Sequence, residues 1–416
     1  MSHRLEALAC SAVIAVGLIA ASALASDSAA TPNETLVILH ANVIDGISNA
    51  PMMDATVVVA NGHIQSVGRG ADTPANASQV LDLKGKWLLP GFVDAHAHIG
   101  DLASARRALR SGTTTARDMG VNHFADIGIR ELNHSGVIDV PDIVAAGYHV
   151  RPHPADEFFL DFPQLSDLMG GVRGAENVRR MVRAMASRGV NVIKVMATQR
   201  AGLPETDPRL QELSDEELAA ATDEAKKAGL WVAAHAHGDE GAAAAVRAGV
   251  HSIEHGTFLS DETLRLMKEK GVYLVPTIAT VQDLIDPGGD YDDPMLQIRG
   301  RAMMPRIREV TAKAWKMGIK IVAGTDTGYL PRSNRRVPDE IIELANVGMP
   351  PMDAIKAATS VSAECLGIEK RTGSIRGGLE ADFVVVDRSP LDDIRNVEDV
   401  VIVINNGKVA VNRLNP

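Results

Sequence analysis

Two histidines separated by one alanine, His96-Ala97-His98, carry the clearest chemistry in the sequence. They close the stretch Gly91-Phe92-Val93-Asp94-Ala95-His96-Ala97-His98, where apolar and polar residues alternate with the period of a strand. Side chains two apart on a strand point to one face, so both imidazoles project together. Neutral imidazoles converging from a strand end suit a metal ion. Further candidates recur along apolar runs. Lys194 lies in Val192-Ile193-Lys194-Val195-Met196, and His235 follows Trp231-Val232-Ala233-Ala234. His255 follows Ser252-Ile253-Glu254, and Asp326 follows Ile321-Val322-Ala323-Gly324-Thr325. His237 shares a face with His235 but lies further out, where it could hold a carbonyl oxygen or a substrate.

The elements that must position these residues are a repeated strand–helix unit. Between Pro90 and Arg371 we expect strands at 91–98, 113–119, 142–149, 191–197, 230–237, 251–255, 272–279 and 319–326. Ser214-Asp215-Glu216-Glu217 is a capping box that opens a helix ending at Gly229. A helix near 176–188 stops at Gly189, and another runs from a Ser260 cap to about Lys270 before Gly271. The order fits an α/β protein with a (β/α)8 TIM barrel, whose site sits at the carboxyl ends of the strands. A doubly wound open sheet is the competing fold, and it gives no reason for ligands to recur at strand ends.

Both chain ends read as short strands instead. Candidates are 36–39, 55–60, 63–67 and 79–83 at the front, then 382–387, 400–404 and 409–411 at the back. Asn61-Gly62 is a hairpin turn, and Asn405-Asn406-Gly407-Lys408 reads as a second. The ends are expected to form one composite β-sandwich, residues 26–89 and 372–416, flanking a barrel over 90–371. The balance of 42 basic and 53 acidic residues, net −11, argues against nucleic acid as a partner. Arg4, an apolar stretch from Leu8 to Leu24, and Ala23-Leu24-Ala25 read as a signal peptide over 1–25, cleaved after Ala25. That implies an exported, periplasmic or secreted protein, with no membrane contact in its mature form. Cys10 leaves with the leader, so Cys365 has no intramolecular disulfide partner.

The motifs Gly91–His98, Val192-Ile193-Lys194, His235-Ala236-His237-Gly238, Ile253-Glu254-His255-Gly256 and Gly324-Thr325-Asp326 together resemble the metal-dependent amidohydrolase superfamily, in its imidazolonepropionase-like and prolidase-like branch. The resemblance implies two divalent metal ions, with zinc fitting best and manganese or cobalt also suited. It assigns His96, His98 and Asp326 to one ion, and His235 and His255 to the other. Lys194 would bridge them as an N-carboxylated side chain, since an ammonium offers donors but no acceptor to a cation. A hydroxide shared by the ions would attack, with Asp326 moving its proton to the leaving amine. After the third strand, relatives often carry Gly-Gly-His where this chain has Gly147-Tyr148-His149.

The expected function is hydrolysis of an amide or peptide bond in a small carboxylate-bearing substrate. Dipeptides, N-acyl amino acids and ochratoxin-like aryl amides are the candidate classes; a cyclic-amide or lactone hydrolase is the alternative. His149, Arg151, His153, Arg200 and His237 are the candidate substrate-binding residues, with Arg332, Arg335 and Arg336 as further loop cations. Relatives suggest a homo-oligomer.

Overall fold

The computed structural model describes residues 34–70, 74 and 77–414. The leader, its cleavage site and Cys10 lie outside the described residues. In chain order the strands are β1 (Thr35–Val43), β2 (Met52–Ala60), β3 (His63–Gly68), β4 (Gln79–Asp82) and β5 (Trp87–Pro90). Then come β6 (Phe92–Ala97), β7 (Thr113–Asp118), β8 (Asp142–Val144), β9 (Val192–Met196), β10 (Trp231–Ala236), β11 (Ser252–His255) and β12 (Tyr273–Val275). The last are β13 (Phe383–Val386), β14 (Val400–Asn405) and β15 (Lys408–Asn412).

The two chain ends meet in one mixed sheet, ordered β15-β14-β13-β5-β1-β2-β3, with β4 also paired to β1. β5 is the join. Leu88 faces Val385 of antiparallel β13 and Val43 of parallel β1. Asn61 and Gly62 both adopt positive φ, 50° and 80°, the twist that a two-residue hairpin needs between β2 and β3. Ile38, Val57, Leu88, Phe383, Val385 and Ile402 form a separate apolar core for this sheet. Burying each such side chain stabilises by roughly 1.5–3 kcal/mol.

The middle of the chain supplies two parallel sheets, β6-β7-β8 and β12-β11-β10-β9. Helices separate their strands, as the strand–helix pattern requires. Ala175–Ser187 precedes β9, Asp215–Lys227 lies between β9 and β10, and Asp261–Lys270 lies between β11 and β12. Both halves of the Ser214–Glu217 capping box form, and Gly271 ends the third of these helices in the left-handed region. No helix among the described residues is long and apolar enough to cross a membrane.

Three expected strands are corrected. The stretch 142–149 is a strand only over β8, because Gly147 turns to φ 66°, where Phe124 and Met185 occupy the space of a Cβ. The stretch 272–279 stops at Val275. Pro276 offers no N–H and Thr277 has φ 51°, and a helix, Ile278–Ile285, begins at once. The stretch 319–326 forms no continuous strand. It makes one isolated parallel bridge, Leu274 to Ile321, with a second, Ala97 to Thr327, just beyond it, and its Ala323 carbonyl accepts from Ala95 N–H. A third bridge, Val150 to Val195, connects the chain after β8 to β9.

Candidate metal centre at the carboxyl ends of the parallel strands

Alternation along β6 turns Asp94 and His96 to the same buried side. His96 Nδ1 lies 2.8 Å from Glu254 Oε2, which leaves Nε2 facing Lys194 Nζ at 3.2 Å and Asp326 Oδ1 at 3.5 Å. His98, the residue after β6, sets Nδ1 2.9 Å from the Gly120 carbonyl and Nε2 3.0 Å from Asp326 Oδ1. Both ring nitrogens of His98 thus face acceptors. Only a second proton or a cation reconciles a neutral ring nitrogen with the carboxylate. Burial opposes charge on His98, but Asp326 outweighs it and raises the imidazole above its ordinary value.

A second set lies on the neighbouring sheet. Ligand atoms of His235, His237 and His255 all fall within 4.8 Å of one another, as do those of His96, His98 and Asp326. Each imidazole is oriented through its other nitrogen. His235 Nε2 is 3.2 Å from the Gln199 carbonyl, His237 Nδ1 is 2.8 Å from Thr257 Oγ1, and His255 Nδ1 is 2.7 Å from Thr277 Oγ1. The free nitrogens are therefore Nδ1 of His235 and Nε2 of His237 and His255. The His237 and His255 rings stack, with centroids 4.5 Å apart.

Backbone strain helps the two sets converge. Glu254 and His255 are adjacent on β11 and would point to opposite faces of a regular strand. His255 adopts φ 75° and Asp326 φ 51°, so each leaves the regular path of its segment. Non-glycine residues in this region cluster where function requires them. Asp94 secures the approach to Asp326, accepting from Thr325 N–H at 3.0 Å, Thr325 Oγ1 at 2.6 Å and the Tyr329 hydroxyl at 2.7 Å.

The electrostatics suit metal ligation. Burial, aided by the Lys194 charge, pushes His96 down to about 4. Burial brings His237 to about 3 and holds His235 and His255 well below the ordinary imidazole value. All four are neutral at physiological pH, the form that ligates. Lys194 is 1% exposed, and burial brings its ammonium down to about 8. Burial alone would raise Asp326, but His96 and His98 hold it well below the usual carboxylate range.

One cavity collects these groups. His96, His98, Lys194, His235, His237, His255 and Asp326 line it, together with His149, Arg200 and Tyr291. Met196, Val281 and Leu284 give it an apolar side. Arg151 is not on its wall and sits 3.8 Å from Glu212; His153 is exposed outside it. Arg332 is near Asp290, Arg335 pairs with Asp286 and Asp339, and Arg336 lies over the Tyr329 ring. Sequence reasoning passed over Glu254 and Arg117, whose guanidinium binds Glu254 at 2.9 Å and the Ala95 carbonyl at 2.7 Å. The signal was a charge inside each of two buried runs, Thr113–Asp118 and Ser252–His255.

Residues 87–410 match the amidohydrolase family. An ochratoxinase of Aspergillus niger is 28% identical over 407 residues, covering 88% of this chain and 84% of its own length. An imidazolonepropionase of Pseudomonas fluorescens is 27% identical, covering 84% of this chain and 92% of its own. The crystal structure of a Xaa-Pro dipeptidase with bound methionine in its active site superposes with a TM-score of 0.79 at 30% identity, over 90% of this chain and 99% of that one.

Proposed function

The chain belongs to the amidohydrolase family and is a hydrolase acting on carbon–nitrogen bonds, and from that premise we propose a binuclear enzyme that cleaves the amide of a small carboxylate-bearing substrate. The observation that carries this reading is the pair of histidine sets sharing one cavity with a buried lysine beside them. His96, His98 and Asp326 would hold one divalent ion, and His235 and His255 the other, with zinc the best fit to this donor set. Lys194 would join them after carboxylation. Its neutral amine adds to carbon dioxide and releases a proton, giving an anionic group with two oxygens. When bound, such ions supply an ionised water at neutral pH and polarise a carbonyl.

The protein's own groups do the rest. Asp326 remains ionised and adjoins His98, placed to take the water's proton and pass it to the leaving amine. His237, tied at Nδ1 to Thr257, has Nε2 left to hold the substrate carbonyl oxygen. Arg200 on the cavity wall supplies the positive charge for a carboxylate. Dipeptides, N-acyl amino acids and ochratoxin-like amides all carry that group. The related ochratoxinase and Xaa-Pro dipeptidase support this substrate class.

The two parallel sheets, bridged through Val150, Ile321 and Thr327, support a (β/α)8 barrel over 90–371. The partner switch of β1 from β4 to β5, over its own apolar core, supports a terminal sandwich from 26–89 and 372–416. Cleavage of residues 1–25 and export complete the proposal; the amino-terminal sequence of protein from the native host tests it. The function is tested by metal analysis and a panel of N-acyl amino acids and dipeptides on zinc-loaded protein. Two ions per chain and hydrolysis of free acids are expected. One ion or none overturns the binuclear reading, and turnover confined to lactones or cyclic amides moves the enzyme to the alternative.

A further inference from the structure

Of the polar groups on the cavity wall, Arg200 has so far been given only its charge and Tyr291 no task at all. The Arg200 guanidinium makes no ion pair and no side-chain hydrogen bond among the described residues, yet it faces the cavity. The Tyr291 hydroxyl likewise makes no hydrogen bond among the described residues and lines the same space. Neither residue drifts there by chance, because three separate contacts fix the loop that carries Tyr291.

That loop joins the helix Ile278–Ile285 to the helix Pro294–Lys316. Asp290, the residue before Tyr291, donates its N–H to Asp283 at 2.9 Å. Its carboxylate accepts from Ser333 Oγ at 2.8 Å and from Thr327 Oγ1 at 3.1 Å, and Thr327 directly follows Asp326. On the other side the Tyr291 ring lies against Gly202. A Cβ there would come 2.5 Å from Tyr291 Cε1, so only glycine leaves room for the ring. The Gly202 loop is held in turn by Arg299, whose guanidinium donates to the carbonyls of Ala201, Leu203, Pro204 and Thr206 at 2.6–3.1 Å. Three loops thus interlock around one tyrosine on the wall of the cavity.

We propose that Tyr291 and Arg200 together recognise the carboxylate of the substrate, Tyr291 donating a hydrogen bond from a ring that also closes the cavity. This rests on the carboxylate-bearing substrate proposed above. Burial and the nearby Asp326 charge push the phenol well above its ordinary value, so it stays a neutral donor at any physiological pH. Asp326, the carboxylate already in the cavity, is engaged by His96 and His98, so the guanidinium is left for an anion that arrives with the ligand. A charged pair of oxygens between a phenol and a guanidinium satisfies both. The amide carbonyl one residue away then lies on the side of Asp326 and the histidines.

The test uses full-length zinc-loaded protein, the best free-acid substrate from the panel, and the same compound as its primary amide. Tyr291→Phe removes one oxygen and keeps the ring. It should raise KM for the acid about 10-fold, as expected for a lost hydrogen bond to a charged group, with kcat and the amide substrate little changed. Gly202→Ala should act in the same direction by displacing the ring. A readout independent of turnover is calorimetric binding of L-phenylalanine, against L-phenylalaninamide, to metal-free protein; Tyr291→Phe should weaken only the former. Equal effects on acid and amide, a change confined to kcat, or no change at all would overturn the role of Tyr291. A wild type that hydrolyses the amide as well as the acid overturns the carboxylate reading together with it; a wild type that prefers the acid, with Tyr291→Phe unaltered, overturns only this inference.

Discussion

The sheet built from the chain ends and the parallel strands around the cavity each enclose a buried interior, and the two interiors are opposites. Inside the terminal sheet stand Ile38, Val57, Leu88, Phe383, Val385 and Ile402. Inside the parallel strands stand His96, Arg117, Lys194 and Glu254, none more than 2% exposed. Apolar burial stabilises outright. Buried charges must first overcome desolvation, and replacing them with apolar residues is often neutral or stabilising. Depth alone therefore says nothing about purpose. One interior holds the fold together, and the other holds reactive groups in place at the fold's expense.

Breaking the second interior should abolish function while sparing the fold. Lys194→Ala is expected to lose bound metal and fall to background turnover, with a thermal midpoint equal to or above that of metal-free wild type; metal analysis and calorimetry check both. Full activity with normal metal content would end the contrast and the binuclear reading. Asp326→Asn should keep the fold and lower kcat by about 10²–10⁴-fold, the usual span for a lost general base. Breaking the first interior should do the reverse. Ile402→Ala should cost about 2–5 kcal/mol in denaturant unfolding, with kcat per folded molecule unchanged. Equal damage to kcat would mean that the two interiors are coupled.

Smaller effects sharpen the comparison. Thr277→Val removes the partner of His255 Nδ1 but keeps the shape. Metal affinity should weaken by about 10–100-fold, the usual consequence of losing such an orienting group, with little change in stability. Glu254 predicts the smallest change, in the pH dependence of stability. Burial would raise its carboxyl, but Arg117 and His96 outweigh that and hold it at about 2. An unfolded chain protonates the group near its ordinary value, so the folded state gains stability above that value and loses it as pH falls toward 2. Acid titration of unfolding should therefore be less steep in Glu254→Gln across that window.

The sequence was legible wherever one period ruled a stretch. Strands at both ends, the Asn61-Gly62 hairpin and the Ser214 capping box all follow from local rules. So do the positions that bring His96, His98, Lys194, His235, His255 and Asp326 to one cavity. Reading failed where tertiary contacts override the period. Val272 to Ala279 is apolar enough for a strand, but Pro276 and the left-handed Thr277 convert its second half to helix. The segment 319–326 is hydrogen-bonded on both sides, but Gly324 is pressed between Val275 and His96, and no continuous ladder forms. Arg151 and Arg200 look alike in sequence. Only the fold turns Arg200 to the cavity and leaves Arg151 near Glu212. Tyr291 and Gly202 come from loops without periodicity, and nothing local marks them as partners.

The place of β5 has a consequence in time. Leu88 pairs with Val385, 297 residues further along the chain. A ribosome delivers β1 to β5 early, and for most of synthesis the β5 edge has no β13 to meet. Contacts so distant along the chain slow folding, since the loop between them must close before they contribute. The terminal sheet is therefore completed only after the parallel strands, although its first half is made before them. A nascent chain arrested before residue 383 would present β5 as an open apolar edge, the state in which this protein is most exposed to aggregation.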